Sequence, residues 1–177
     1  MNRLLNALLV ASAVAITGCA ASVQRGADEA RLTHSPAAAK RIALDVQGGP
    51  TVTASKDWEQ FRGVWRTEMA EAAKEKGVTL VPLETALAPN AEPSTLVTVQ
   101  VNDYRYVTRA ARVTVGIMTG NAYVDSDVSF SELPSRTPVG KRKFSTASSA
   151  MQGAFAPMTE RQLQGISEEI LKEVTGQ

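Results

Sequence analysis

The chain has 177 residues, of which 44% are hydrophobic and 21% are charged, with a formal net charge of +1. This composition is typical of one soluble domain and excludes a disordered or collagen-like chain, and the near-neutral charge gives no overall field to hold nucleic acid, so no nucleic-acid partner is expected. One cysteine and one histidine leave too few groups for a disulfide framework or a zinc cluster, and we do not expect a cysteine–histidine catalytic pair. We therefore predict no metal and no cofactor.

The first segment has the pattern of a secretory signal peptide. Arg3 supplies the basic start, and an apolar run follows over residues 4–16. These 13 residues are fewer than the roughly 20 that a membrane-spanning helix needs. We predict that residues 1–18 are a signal peptide that is removed.

The segment ends in Ile16-Thr17-Gly18-Cys19, which resembles the lipobox of bacterial lipoproteins. The resemblance implies cleavage before Cys19, a diacylglyceryl thioether on its sulfur and an acyl chain on the new amino group. Several acyl chains give stable anchoring where one gives only marginal binding. In that class an Asp after the lipidated cysteine favours the inner membrane. Ala20 stands there instead, so the resemblance implies the outer membrane, with the domain in the periplasm.

Two segments follow the signal peptide. Residues 19–39 are rich in Ala and Ser and include His34 and Pro36, so we predict a lipidated cysteine with a flexible tether of roughly 25 Å reach. In such a tether no packed side chains would hold the histidine ring in a catalytic geometry, so we do not expect it to be catalytic. Residues 40–177 are predicted to form a single periplasmic domain.

The first half of that domain predicts a strand, a helix and a strand. Apolar residues alternate over residues 41–46, and a Gly-Gly-Pro turn follows. A helix capped by Ser55 or Asp57 is predicted to end at Gly77. Its apolar stripe, which we assign to core packing, is Trp58, Phe61, Trp65, Met69 and Ala72. A second strand is predicted over residues 78–83, followed by a loop over residues 84–94.

The second half predicts strands and a closing helix. A long strand over residues 95–108 is interrupted at Asn102-Asp103, which indicates a bulge. Further strands are predicted over residues 112–118, 121–131 and 141–150. An amphipathic helix over residues 157–174 carries Leu163, Ile166, Ile170 and Val174 on one face. The predicted fold class is α+β, an antiparallel sheet of five or six strands with two amphipathic helices packed on one face.

Asp125 and Asp127 lie two residues apart in a predicted strand, so their carboxylates share one face. That spacing suits acid/base chemistry or a hard cation. Cross-strand pairing with Lys141 and Lys143 is the stronger interpretation, because these lysines have the same parity in the next strand. We expect Val128 to pair with Phe144 on the apolar face.

Basic side chains cluster in two short stretches of the sequence. They are Arg105, Arg109 and Arg112, followed by Lys141, Arg142 and Lys143. Together they are a candidate anion-binding patch for phosphorylated lipid headgroups or another anionic envelope polymer. A solvated sheet face is the competing and stronger interpretation.

Arg112-x-x-x-Gly116-x-x-x-Gly120, followed by Val124-Asp125 and a closing helix, resembles a bacterial lipoprotein family known only as a domain of unknown function. Met118 stands where that family carries a further glycine. The resemblance covers about residues 41–175 and implies a small α+β envelope domain with no assigned activity. The strand–helix–strand order is also similar to periplasmic lipoprotein domains of secretion complexes, an analogy of fold only.

We predict a lipid-anchored, non-catalytic envelope protein that acts through contacts with other envelope proteins or polymers. The alternative is a subunit of an oligomeric outer-membrane secretion or pore assembly, which the strand-rich segment beside a lipid anchor suggests. An enzyme is the least favoured of the three classes, because no recognisable catalytic motif is present.

Overall fold

The fold is described from a computed structural model, which describes residues 22–26, 30–107, 121–147 and 158–176. Its strands are β1 (Ser22–Arg25), β2 (Arg41–Gly48), β3 (Thr79–Val81), β4 (Ser94–Arg105), β5 (Tyr123–Leu133) and β6 (Thr137–Ala147). Its helices are α1 (Pro50–Thr53), α2 (Trp58–Glu75), α3 (Leu83–Ala86) and α4 (Met158–Thr175), and a 3₁₀ turn spans Ala38–Lys40. The predicted α+β class is confirmed.

Six strands form one sheet in the order β1-β6-β5-β4-β2-β3. The pairs β1–β6, β6–β5 and β5–β4 are antiparallel, whereas β2 runs parallel to both β3 and β4. The sheet is thus mostly antiparallel, as predicted, and the parallel pairing of β2 was not predicted. Helix α2 carries the chain from β2 back to the start of β3, and such a crossover joins parallel strands.

Helices α2 and α4 pack on one face of the sheet and close the main core. The largest buried side chain on α2 is Trp65, and Leu163 and Ile170 of α4 are also fully buried. Gly77 ends α2 with φ +65°, and the Val78 N–H donates to the Ala73 carbonyl at 2.8 Å. This left-handed position was predicted from the glycine, because a residue without a Cβ adopts it without strain.

The segment predicted as a tether is part of the folded domain over most of its length. Strand β1 pairs with β6, and Leu32 is buried in the main core. Ser35 donates from both its N–H and its hydroxyl to Glu132, at 3.1 and 2.7 Å, and these bonds hold the pKa of Glu132 below its usual range. His34 Nε2 donates to the Val174 carbonyl at 2.7 Å, so its ring fastens the segment to α4. The predicted boundary at residue 40 is therefore too late.

Several sequence predictions fall outside the described residues. They include the signal peptide over residues 1–18, the lipidated Cys19, the strand over residues 112–118, and the motif of Arg112, Gly116 and Gly120. No helix in the described ranges has the length and apolar character that crossing a bilayer requires.

Candidate functional site

The face of the sheet opposite α2 and α4 is polar over its central strands. Gln100 of β4, Asp127 and Ser129 of β5, and Lys141 and Lys143 of β6 point to this side, because alternate residues of a strand share a face. Helix α3 covers only one corner, where Ala86 packs with Ala43 and Leu133. The name open face is used below for the surface formed by β4, β5 and β6 on this side.

Asp125 and Asp127 lie on the open face, and each has a partner. Lys143 Nζ lies 3.6 Å from Asp125 Oδ1, and the Asn102 side-chain amide donates to Asp127 Oδ2 at 2.7 Å. Asp127 is exposed to solvent and lies opposite Lys143 in the strand register. No group of three or more metal-ligating side chains occurs within the described ranges. Of the predicted cross-strand pairs, the Lys143–Asp125 pair is present, whereas Asp127 is bound by Asn102 and Lys141 lies opposite Ser129.

The register of the β5–β6 hairpin differs from the prediction by two residues. Val128 lies opposite Arg142, and Phe144 lies opposite Ser126, so Val128 and Phe144 are not directly paired. The register shifts at an irregularity between Phe130 and Ser131, close to the turn. A slip of two residues returns every side chain to its original face, which is why the predicted faces are correct although the pairing was wrong.

Arg142 does not belong to a solvent-exposed basic patch. Its side chain is only 4% exposed and points to the helix layer, where Nε and Nη2 contact Glu173 Oε2 at 2.8 and 2.6 Å. Two carbonyls accept further bonds from its guanidinium, those of Lys141 at 2.7 Å and Ala30 at 2.8 Å. Arg25 of β1 also pairs with Glu173. Arg142 thus joins β6, α4 and the N-terminal segment, and its inclusion in the predicted patch is corrected.

The other members of the predicted patch that the structure describes are dispersed. Arg105 lies level with Tyr123 and Ala147, four and six residues from Lys143 and Lys141 along β6. With about 3.3 Å per residue and 4.8 Å between strands, Arg105 is roughly 16–22 Å from these lysines. Screening acts over about 8 Å, so these cations do not combine into one field. Arg109 and Arg112 lie outside the described residues.

A shallow groove of about 450 Å³ lies where β3 ends and was not anticipated from the sequence. Only Arg41–Ala43 of β2 pair with β3, so among the described residues the outer edge of β2 from Leu44 onward lies beside no strand. The residues that line the groove include the apolar Leu44 and Leu80 and the charged Asp45 and Arg66. An unpaired strand edge presents backbone groups that another strand can bind. The strand predicted over residues 78–83 is shorter in the structure, Thr79–Val81, which leaves this edge open.

An aromatic cluster links α2 to the end of β4. The rings of Phe61 and Tyr104 stack with centroids 4.1 Å apart, and Trp58, Trp65 and Tyr106 lie around Phe61. The Tyr104 hydroxyl donates to Asp57 Oδ1 at 2.6 Å. Asp57 occupies the predicted N-cap position, but its carboxylate binds Tyr104 and Ser55 and makes no capping bond. The predicted bulge at Asn102-Asp103 is confirmed. Tyr104 directly follows the bulge, and its ring lies in this cluster.

The pKa of Tyr104 predicts a loss of stability in alkaline solution. Burial and the hydrogen bond to Asp57 raise this pKa from 10.0 to about 12. The neutral phenol therefore contributes stability that is complete below pH 10 and is lost as the pH rises towards 12. We expect the free energy of unfolding of the wild type to fall relative to Tyr104→Phe across this window, in urea titrations at each pH. Parallel pH profiles for the two proteins would contradict this.

No protein-family model and no curated protein matches this chain. Solved structures do match it. Two crystal forms of the PelC dodecamer from Paraburkholderia phytofirmans superpose with TM-scores of 0.52 and 0.53 at 12% identity, covering 87% of this chain and 98% and 96% of that protein. A protein of the DUF330 family from Xanthomonas campestris superposes with a TM-score of 0.43 at 12% identity, covering 84% of this chain and 93% of that one. At these identities, what the chain shares with PelC is its fold.

Proposed function

We propose that the protein is a lipid-anchored, non-catalytic component of the bacterial outer membrane that acts in the periplasm through contacts with other envelope proteins or anionic polymers. The lipobox-like Ile16-Thr17-Gly18-Cys19 after an apolar run supports the location. The observation that carries the contact function is the open face. It presents a broad polar surface whose acidic groups are already bound by Lys143 and Asn102, so it suits surface complementarity better than proton transfer.

Localisation tests this proposal. The full chain is produced in a Gram-negative host with an alkyne fatty acid, beside Cys19→Ala. We expect label and outer-membrane recovery for the wild type and neither for the variant. A wild type that carries no label, or that fractionates with the soluble proteins, would exclude the lipid anchor.

Site-specific photo-crosslinking tests the contact function. A photoreactive residue at Gln100 or Ser129 lies on the open face, and the matched control at Lys74 lies at the end of α2 on the helix layer. We expect crosslinks to envelope components from the open face and few from Lys74. Equal crosslinking from both faces would count against the open face as the contact surface.

A second candidate is the alternative named from the sequence, a subunit of an oligomeric outer-membrane assembly. The PelC structures are dodecamers, and their fold is shared over most of this chain. The unpaired edge of β2 beside the 450 Å³ groove is a surface at which a neighbouring copy could add a strand. A particle of many subunits in mild detergent would favour this candidate, and a monomer without channel conductance would remove it.

A further inference from the structure

The link between the proposed lipid and the folded domain is very short. Strand β1 begins at Ser22, so only Ala20 and Ala21 separate it from Cys19. Val23 packs against the main core, and Arg25 pairs with Glu173 of α4, so two side chains hold β1 on the domain. This inference rests on the lipidation of Cys19 proposed above.

The reach of that link follows from chain geometry. Three residue steps span at most about 11 Å when fully extended. A free tether of twenty residues would instead have reached roughly 25 Å and allowed the domain to rotate. The beginning of β1 is therefore held within about 11 Å of the lipidated cysteine.

The register shows which end of the sheet this is. Ser22 lies opposite Ala147, Ala147 opposite Tyr123, and Tyr123 opposite Arg105. The beginning of β1, the end of β6, the beginning of β5 and the end of β4 therefore lie at the same end of the sheet. The beginning of α4 is also here, because the Val107 N–H donates to Thr159 Oγ1 at 3.1 Å. The β5–β6 turn lies at the other end of the same strands.

Among the described residues at this end, Tyr123 is suited to a headgroup layer. Tyr123 is half-buried, and its hydroxyl donates to Asp103 at 3.0 Å, so it presents an apolar ring with a polar tip. Tyrosines of this kind are enriched where one end of the ring is apolar and the other is wet. Arg105 is exposed on the same face, opposite Tyr123 in the strand register.

We infer that the short link holds the domain with the Ser22, Arg105, Tyr123 and Ala147 end of the sheet towards the lipid headgroups. The strands then rise from the membrane, and the β5–β6 turn is the part of the hairpin farthest from it. Thr137 and Ala147, the first and last residues of β6, differ in height by about 33 Å if β6 stands upright, from ten steps of 3.3 Å.

Spin labels at the two ends of β6 test this orientation. Ala147→Cys and Thr137→Cys replace exposed residues, and the thioether on Cys19 leaves the introduced cysteine as the free thiol that takes the nitroxide. The lipidated full chain is placed in phosphatidylethanolamine–phosphatidylglycerol vesicles that contain a nickel-chelating headgroup lipid. We expect relaxation by nickel to be several-fold stronger at position 147 than at 137. Equal relaxation at the two positions, or the reverse order, would overturn the inference.

A linker insertion tests whether the short link causes this orientation of the domain. Ten Gly and Ser residues between Ala21 and Ser22 lengthen the link to a reach of roughly 20 Å. We expect the difference between the two labels to shrink towards equality, and an unchanged difference would overturn the assignment to the short link. The intact mass of each protein shows whether Cys19 is lipidated, and so distinguishes a failure of the proposed lipid anchor from a failure of the orientation alone. An unlipidated Cys19 defeats both the proposed function and this inference, whereas a lipidated protein with equal relaxation defeats the orientation alone.

Discussion

Glu173→Met should lower the free energy of unfolding by about 3–5 kcal/mol, because it leaves the Arg142 guanidinium buried without its carboxylate. The pair is nearly enclosed, with side-chain exposures of 4% for Arg142 and 10% for Glu173. Desolvation of an unpaired buried charge costs much more than the loss of an exposed ion pair. The measurement is urea unfolding followed by the fluorescence of the two tryptophans of α2.

Two further variants make this result specific to the buried pair. Glu169→Met removes an acidic residue one turn earlier on α4, where Glu169 pairs with the partly exposed Lys172, and should cost less than about 1 kcal/mol. The double variant Arg142→Met/Glu173→Met should be more stable than Glu173→Met alone, because it no longer buries an unpaired charge. A double variant that is less stable than the single one would show that the carbonyl bonds of Arg142, and not its ion pair, hold the N-terminal segment in place.

Phe61→Ala should lower the free energy of unfolding by about 3–5 kcal/mol, the range for truncating a fully buried aromatic side chain. Phe61 is 0% exposed, and its ring contacts four other aromatic rings that join α2 to β4. The alanine leaves a cavity at the centre of that cluster. Urea unfolding followed by far-ultraviolet circular dichroism is the suitable measurement, because both tryptophans lie close to the substitution.

Phe61→Leu is the matched control for this cavity. It keeps much of the apolar volume while removing the ring stacking, so it should be less destabilising than Phe61→Ala. A loss below about 1 kcal/mol for Phe61→Ala would show that the aromatic cluster collapses to fill the space. Equal losses for both variants would assign the stability to ring stacking instead of volume.

The sequence predicted those parts of the fold in which the hydrophobic pattern continues over many residues. The α2 stripe from Trp58 to Ala72 covers four turns, and the alternation in β4 from Val97 to Val101 identifies its inner face. Interruption of that alternation at Asn102-Asp103 predicted the bulge, and Gly77 predicted the end of α2. Each of these signals is local, so a single sequence is sufficient to read it.

The N-terminal segment was missed because its signals are too short. Strand β1 has four residues and only one apolar inward side chain, Val23, which gives no period to detect. Leu32 is an isolated apolar residue whose burial depends on α4 and β6, far along the chain. Non-local contacts of this kind leave no pattern in the segment itself, so composition alone favoured a tether.

Arg142 was misplaced in the predicted basic patch for a reason that the sequence did contain. Lys141 and Lys143 have odd parity in β6, whereas Arg142 has the parity of Phe144 and so belongs to the helix face. Its partner Glu173 was not predictable, because that pairing depends on how α4 lies across the sheet. Similarly, the helix between β2 and β3 was a local indication of parallel pairing, but the parallel pairing of β2 with β4 depends on the order of the strands.

The central claim is that Cys19 carries lipid, and mass spectrometry of the N-terminal tryptic peptide tests it most directly. Trypsin cleaves after Arg25, so the account predicts a peptide of residues 19–25 from the membrane-extracted protein with a diacylglyceryl thioether on Cys19 and an acyl chain on its amino group. Cys19→Ala should yield no acylated peptide. A wild-type peptide in which Gly18 and Cys19 remain joined, or in which Cys19 is a free thiol, would contradict the account.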